Sequence, residues 1–144
     1  MELEIVGLVI KMSYRNAFAV EVKFGDDEEV AFKMEEPYAV RHANQSCLMN
    51  PAIDDGDRIQ SCFKPLYGVE IESAIAEGTG ELRLKFVDGS SLDCGPSEMY
   101  EPWAYYGPRG VRVWSLAGGR LMICRSRLRS SFETIGRRGM WSGC

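Results

Sequence analysis

The sequence predicts a mostly β protein: two similar antiparallel meanders and a C-terminal hairpin that form a small barrel or a pair of packed sheets, with one short helix allowed. Two observations lead to this prediction. Short segments alternate apolar and polar residues, and a block near the N-terminus resembles a second block about sixty residues later. We expect a single β domain over residues 1–124, with similar blocks at about 3–34 and 66–96, and a basic, partly ordered tail over residues 125–144.

The resemblance between the blocks lies in a glycine-containing segment and in the strand that follows it. Residues 6–10 (Val-Gly-Leu-Val-Ile) resemble residues 67–71 (Tyr-Gly-Val-Glu-Ile), and residues 20–24 (Val-Glu-Val-Lys-Phe) resemble residues 82–86 (Leu-Arg-Leu-Lys-Phe). In the last segment apolar and charged residues alternate strictly, which places its apolar side chains on one face of a strand. The repetition also predicts pseudo-twofold symmetry.

Turn signals separate the predicted strands. Asp88-Gly89 is a pair that a tight type I′ hairpin prefers, because both central residues need positive φ. The first block has Asp27 where the second has Gly89, and Asp tolerates that conformation better than most residues. A third hairpin is predicted from residues 111–114 and 121–124, which are joined through a Gly-Gly turn.

The region between the blocks looks like a long connection. Residues 35–65 contain three prolines and several Asn, Asp and Gly residues, all of which interrupt strands and helices. A short helix is predicted within residues 54–63, with Asp54 or Asp55 as its N-cap.

Charge is distributed unevenly along the chain. Residues 1–124 hold 12 Lys and Arg against 20 Asp and Glu, whereas residues 125–144 hold 5 Arg against 1 Glu. The acidic body repels phosphate backbones, so it argues against nucleic acid and favours a basic protein partner. The alternative is that these carboxylates only keep a small domain in solution.

The sequence predicts a cytoplasmic protein with no membrane partner. No apolar run approaches the ~20 residues that a membrane span needs, and the N-terminus is acidic where a signal peptide would be basic. Five cysteines occur without a Cys-x-x-Cys pair, and their odd number argues against a disulfide framework. Cys47 and Cys62 flank a loop and could pair under oxidation, although their spacing alone does not show proximity.

The sequence offers no recognisable catalytic, metal or cofactor site. His42 is the single histidine, so a His-containing triad or a multi-His metal site lacks its parts. The acidic run at Asp54, Asp55 and Asp57 lacks the spacing of a calcium loop, and no dinucleotide-binding glycine motif or P-loop is present. We therefore expect no cofactor, and a non-enzymatic function is favoured.

Two clusters are candidate partner-binding surfaces. One is an acidic hairpin turn whose like charges a basic partner would relieve. The other is a segment of aromatic residues with polar groups, a composition enriched at interface hot spots. Each has a structural alternative: a solvated hairpin tip for the first, and for the second a segment folded across the open end of the core with its tryptophan as a plug. The residues assigned to a partner are Asp26, Asp27, Glu28, Glu29, Tyr100, Glu101, Trp103 and Tyr105.

Four motifs follow one another along the second half of the chain. They are a Leu-x-Leu-x-Phe-x-Asp-Gly hairpin at residues 82–89, Tyr-Glu-Pro-Trp at 100–103, Gly-Pro-Arg-Gly at 107–110 and Gly-Gly-Arg-Leu at 118–121. In this order they resemble DUF6188, a family of small bacterial proteins of unknown function, over about residues 3–124. The resemblance implies a fold class and a bacterial origin, but no activity.

Three classes of function remain open. Small bacterial proteins of this kind are often immunity proteins, and by that analogy we expect a protein-binding module whose acidic face covers a basic toxin. The first alternative is a self-assembling structural protein, since exposed edge strands would allow a homodimer. The second is a small-ligand binder or an unrecognised enzyme, which would need a deep pocket with convergent polar groups.

Overall fold

The computed structural model describes residues 1–25 and 30–125. The predicted acidic binding turn at residues 26–29 and the predicted tail beyond residue 125 lie outside the described residues. Within the described ranges the chain forms eleven strands and one α-helix. The elements are β1 (Ile10–Asn16), β2 (Ala19–Phe24), β3 (Ala31–Met34), β4 (Tyr38–His42), β5 (Gln45–Met49), α1 (Gly56–Phe63), β6 (Ile71–Ala76), β7 (Leu82–Phe86), β8 (Ser91–Cys94), β9 (Trp103–Tyr106), β10 (Arg112–Ser115) and β11 (Leu121–Cys124).

The strands form two antiparallel sheets packed against each other. One sheet has the order β1-β2-β3-β9-β10-β11, and the other has the order β5-β4-β8-β7-β6. The first meander is β1 to β3, the second is β6 to β8, and β10 with β11 is the C-terminal hairpin. The predicted fold class is therefore confirmed, in its packed-sheet form.

Each sheet is completed by a strand from the other half of the chain. After β3 the chain crosses to the second sheet, where β4 pairs with β8. After β8 it crosses back, and β9 pairs with β3. The two halves thus exchange strands reciprocally, and each meander is extended by the strand that follows the other one.

The two meanders share local irregularities as well as strand order. Ile10 pairs with Phe24 in the first, Ile71 pairs with Phe86 in the second, and in both the register shifts directly after the isoleucine. A register shift of this kind bends a strand and increases its twist. The first strand of each meander begins at this isoleucine, the last residue of the glycine-containing segment.

The core lies between the sheets and is filled by the inward-facing residues of each strand. In β7 the predicted alternation is observed: Leu82, Leu84 and Phe86 are buried, whereas Arg83 and Lys85 are exposed. Burial of such apolar side chains is the main favourable term in folding, at about 25 cal/mol per Å² removed from water.

The predicted short helix is present as α1. Its N-cap is Asp55, whose carboxylate accepts a hydrogen bond from the Arg58 backbone N–H at 2.9 Å. This bond satisfies one of the free N–H groups of the first turn. The apolar face of α1 packs inward through Ile59, Cys62 and Phe63. No helix in the described ranges is long and apolar enough to cross a membrane.

The prediction of a long connection over residues 35–65 is wrong in its first half. That stretch contains the β4–β5 hairpin, in which Tyr38 and Val40 face the core. Its turn includes Ala43 with a φ of 53°. Ala is not one of the residues that favour positive φ, so the turn signal at this point was limited to Asn44, which follows it.

A group of buried titratable side chains surrounds Tyr38. Its ring contacts that of Phe63 at 5.6 Å, and its Oη has no hydrogen-bond partner among the described residues. Burial raises the pKa of Tyr38, and the nearby Cys62 and Cys47 thiols raise it further. Burial likewise raises the pKa of the Cys94 thiol, to about 12.

From the raised pKa values of Tyr38 and Cys94 we predict a loss of stability at alkaline pH. Unfolded Tyr and Cys release protons around 10.0 and 9.0, whereas folded Tyr38 and Cys94 keep theirs to higher pH. Below about pH 9 both groups are protonated in the folded and the unfolded state, and their full contribution to the free energy of unfolding is present. Between the unfolded and the folded pKa values only the unfolded state releases these protons, so that contribution is lost as the pH rises. We expect the urea midpoint to fall between about pH 9 and pH 11.

The variant Tyr38→Phe tests this explanation. It removes one group that keeps its proton on folding, so its urea midpoint should fall less steeply with pH than that of the wild type. Tyr100→Phe changes an exposed tyrosine and should leave the pH dependence as it is. The same slope in all three proteins would show that Tyr38 is not a source of the alkaline loss.

Candidate protein-binding surface

The structure separates the predicted partner-binding residues into a buried and an exposed set. Trp103 and Tyr105 are core residues, each 1% exposed, whereas Tyr100 and Glu101 lie at the surface. The four acidic residues of the turn at 26–29 lie outside the described residues. Of the described residues that we assigned to a partner, only Tyr100 and Glu101 are placed where a partner could touch them.

Trp103 is buried because β9 is an interior strand of its sheet. Its backbone pairs with Met34 of β3, and its side chain enters the core. The indole Nε1 donates a hydrogen bond to the Gly80 carbonyl at 2.9 Å, which satisfies the one polar group of the side chain. Trp103 is therefore buried in the core, as in the structural alternative for the aromatic cluster, but it lies on an interior strand rather than on a segment folded across an open end.

Tyr100 and its neighbours lie on a loop, residues 97–101, that hydrogen bonds hold in place. The Ser97 Oγ accepts from the backbone N–H groups of Met99 at 3.2 Å and Tyr100 at 3.1 Å. The same hydroxyl donates to a Glu36 carboxylate oxygen at 3.0 Å, and the Ser97 carbonyl accepts from the Gly118 N–H at 2.8 Å. The loop is thus fastened to the β3–β4 connection on one side and to the β10–β11 hairpin on the other.

The loop presents two large apolar side chains to solvent. Met99 is 74% exposed and Tyr100 is 63% exposed. Single exposed apolar residues are common on protein surfaces. Met99 and Tyr100, however, are adjacent and lie on an anchored loop, so together they form a contact patch that is already ordered. An ordered patch loses less conformational entropy on binding than a flexible one.

Glutamates surround this patch. Glu98 and Glu101 belong to the loop itself, and both are exposed. The adjoining β3–β4 connection brings two more, because the Glu35 N–H donates to the Pro102 carbonyl at 2.8 Å and Glu36 binds Ser97. Lys33 lies beside one of these carboxylates, with its Nζ 4.0 Å from Glu35. We call this region the acidic–aromatic surface; it comprises Glu35, Glu36, Ser97, Glu98, Met99, Tyr100 and Glu101.

The acidic–aromatic surface adjoins one end of β9. Ala31, which follows the turn, pairs with Tyr106 at one end of β9, whereas Glu35 meets Pro102 at the other end. The acidic–aromatic surface is therefore one candidate interface, and the acidic run at residues 26–29, which lies outside the described residues, stays a separate prediction from sequence.

Two arginines lie near the Tyr106 end of the sheet, in contrast to the glutamates at the Pro102 end. The Arg112 guanidinium lies 5.5 Å from the centre of the Tyr106 ring, and Arg109 forms an ion pair with Glu4. A cavity of about 40 Å³ is lined by Tyr105 and Glu4, among other residues, and has room for a few water molecules. Among the described residues no group of three or more His, Cys, Asp or Glu side chains is arranged to hold a metal ion.

Sequence reasoning missed five members of the acidic–aromatic surface: Glu35, Glu36, Ser97, Glu98 and Met99. One local signal was present for Ser97. Serine side chains often accept hydrogen bonds from the backbone N–H groups two and three residues later, here those of Met99 and Tyr100. Glu35 and Glu36, in the β3–β4 connection, had no such local signal. They lie next to the loop only because the two halves of the chain exchange strands between the sheets.

The comparisons with known proteins identify a family. A family model described as a family of unknown function, DUF6188, matches residues 1–125. No curated protein and no solved structure matches the chain. The match spans both meanders, the acidic–aromatic surface and the C-terminal hairpin, and it agrees with the resemblance seen in the four sequence motifs. The chain therefore belongs to DUF6188, a family of unknown function.

Proposed function

We propose that this protein is a cytoplasmic, non-enzymatic protein-binding module, and specifically a bacterial immunity protein that neutralises a basic toxin through the acidic–aromatic surface. The observation that carries the proposal is the exposure of Met99 and Tyr100 on a loop that Ser97 holds in place, within a group of four glutamates. The family has no known function, so the proposal is supported by the chemistry of the acidic–aromatic surface.

The apolar and aromatic patch supports tight binding. Tyrosine is enriched among the few residues that dominate interface energies, because it contributes a large rigid surface and a polar group together. Arginine side chains of a partner can stack on the exposed face of such a ring. Since the loop is already anchored, more of the contact energy remains as affinity.

The carboxylates support a basic partner. The glutamates around Tyr100 add to a chain whose net charge is −4, so a basic protein is attracted before contact. Charge complementarity of this kind mainly raises the association rate, and it weakens with salt. A toxin that acts on nucleic acid carries the basic surface that this field would attract.

The variant Tyr100→Ala tests the surface. The wild-type protein is first used to capture a partner from lysate of its source organism at low salt, and the affinity of that purified partner is then measured for each variant. Tyr100→Ala should weaken binding by about tenfold or more, since interface tyrosines often contribute over 1.4 kcal/mol. Val87→Ala is the matched control, because Val87 is also an exposed apolar residue, at 58%, but lies by the β7–β8 turn.

The outcomes separate the competing interpretations. An affinity that survives Tyr100→Ala but is lost when residues 26–29 are changed to Asn and Gln would move the interface to the acidic turn. Self-assembly is the second candidate, because edge strands β5 and β11 expose Leu48, Met122 and Ile123. Recovery of the bait alone, together with a dimer in light scattering, would favour that alternative.

A further inference from the structure

Two cysteines from consecutive elements face the same part of the core. Cys47 lies on edge strand β5, where it is partly exposed, and Cys62 lies on the inward face of α1, where it is 7% exposed. The chain passes from β5 directly into α1, and α1 packs back against β5. Strand alternation turns Leu48 outwards, so Cys47 points to the side that α1 covers.

Independent contacts bring the two thiols together. Met49, on the same strand face as Cys47, pairs with Tyr38, and the Tyr38 ring contacts Phe63, the neighbour of Cys62. The Cys47 thiol donates a hydrogen bond to the Met49 Sδ at 3.4 Å. Burial raises the pKa of the Cys62 thiol, and the neighbouring Cys47 thiol raises it further. Cys47 packs against the buried cluster that contains Cys62, and both residues are free cysteines.

We propose that Cys47 and Cys62 are an oxidation site, which closes to an intramolecular disulfide between β5 and α1 when the protein meets hydrogen peroxide. The partly exposed Cys47 is the thiol that a small oxidant reaches first, and Cys62 is shielded from it by the core. Cys94 offers no such partner: its Sγ lies 3.9 Å from the Pro37 carbonyl oxygen, and it is deeply buried.

The reaction balances with peroxide as the only co-reactant. The Cys47 thiolate attacks one peroxide oxygen, the O–O bond breaks, and Cys47 becomes a sulfenic acid while hydroxide leaves and takes up the thiol proton. The Cys62 sulfur then attacks the Cys47 sulfur, the S–O bond breaks, and water leaves with the Cys62 proton. In total two thiols and one peroxide give one disulfide and two waters.

Peptide mapping of the full-length protein tests this site. The protein is treated with a small excess of hydrogen peroxide, the remaining thiols are alkylated, and the chain is digested with trypsin. Cys47 and Cys62 fall in separate tryptic peptides, residues 42–58 and 59–83. We expect these two peptides to be linked, with a combined mass about 2 Da below the sum of the reduced peptides, and to separate again on reduction.

Two variants distinguish the proposal from general oxidation. In Cys62→Ser the link should be lost, and Cys47 should accumulate as a sulfenic acid that dimedone labels. In Cys94→Ser the link should form as in the wild type, because Cys94 plays no part in it. The proposal is overturned if the wild-type protein gives only sulfinic or sulfonic acid at Cys47, or if Cys47 links two chains on a non-reducing gel.

Discussion

Substitution of Trp103 by alanine should lower the free energy of unfolding by about 3–5 kcal/mol, the range measured for large aromatic residues in protein cores. Trp103 is among the largest fully buried side chains, and its removal would leave a cavity between the sheets. It would also leave the Gly80 carbonyl with one hydrogen bond fewer, because only the Ser115 hydroxyl, at 2.9 Å, would still donate to it. Urea unfolding of the two proteins measures the difference.

A milder variant keeps this prediction testable if Trp103→Ala does not fold. Trp103→Phe retains an aromatic ring but loses the indole N–H, so we expect a loss of about 1–3 kcal/mol. Tyr100→Ala is the control for an exposed aromatic residue and should change the free energy of unfolding by no more than about 0.5 kcal/mol. If Trp103→Ala were as stable as Tyr100→Ala, Trp103 would have to lie at the surface, as part of the interface we first assigned it to.

The second large effect is expected at Gly80, in the turn between β6 and β7. Gly80 has a φ of 96°, and a Cβ placed on it would lie 2.7 Å from the Cα of Gly119 in the β10–β11 turn. Gly80→Ala should therefore cost about 1–2 kcal/mol for the left-handed backbone and about 1–3 kcal/mol more for pushing the two turns apart. The turns belong to different sheets, so the close approach of these glycines is one of the points at which the sheets are held together.

Gly78→Ala is the matched control for this experiment. Gly78 lies in the same turn, has no positive φ, and a Cβ added to it would have no atom within 4 Å. Its replacement should change the urea midpoint little, or raise it slightly by restricting the unfolded chain. If both alanine variants lost the same stability, the cause would be the turn itself rather than its contact with Gly119.

Local pattern was enough to predict the second meander. Strict alternation in residues 82–86 gave the inward-facing side chains of β7. The Asp88-Gly89 pair located the turn, but only Gly89 has positive φ, at 92°, so the turn is not the predicted type I′. Strands and turns of this kind depend on neighbouring residues in the sequence, so their signals are readable without tertiary contacts.

The strand exchange could not be predicted in the same way. Which strand pairs with β3 depends on contacts between residues about seventy positions apart, and alternation along one strand does not specify its neighbour. β9 itself has only four residues and lies between Pro102 and Pro108, so its local pattern is a weak strand signal.

The assignment of site residues failed for the same reason. In a strand, residues two positions apart share a face, so Trp103 and Tyr105 point into the core together once β9 is recognised as a strand. Composition alone could not separate these aromatic residues from Tyr100, which precedes the strand and stays outside. The sequence therefore located the segment, and only the pairing of β9 with β3 divides it into core and surface.

Because the two halves exchange strands, the first sheet cannot form completely until β9 has been synthesised. The first meander leaves the ribosome with one edge of β3 unpaired, and the partner of that edge, β9, ends only at Tyr106. Until then the nascent chain carries an open strand edge, the feature by which unfinished β proteins associate with one another. Neither half can finish its sheet alone, so the body of the protein should fold late and as one unit, and a chain truncated before β9 should aggregate.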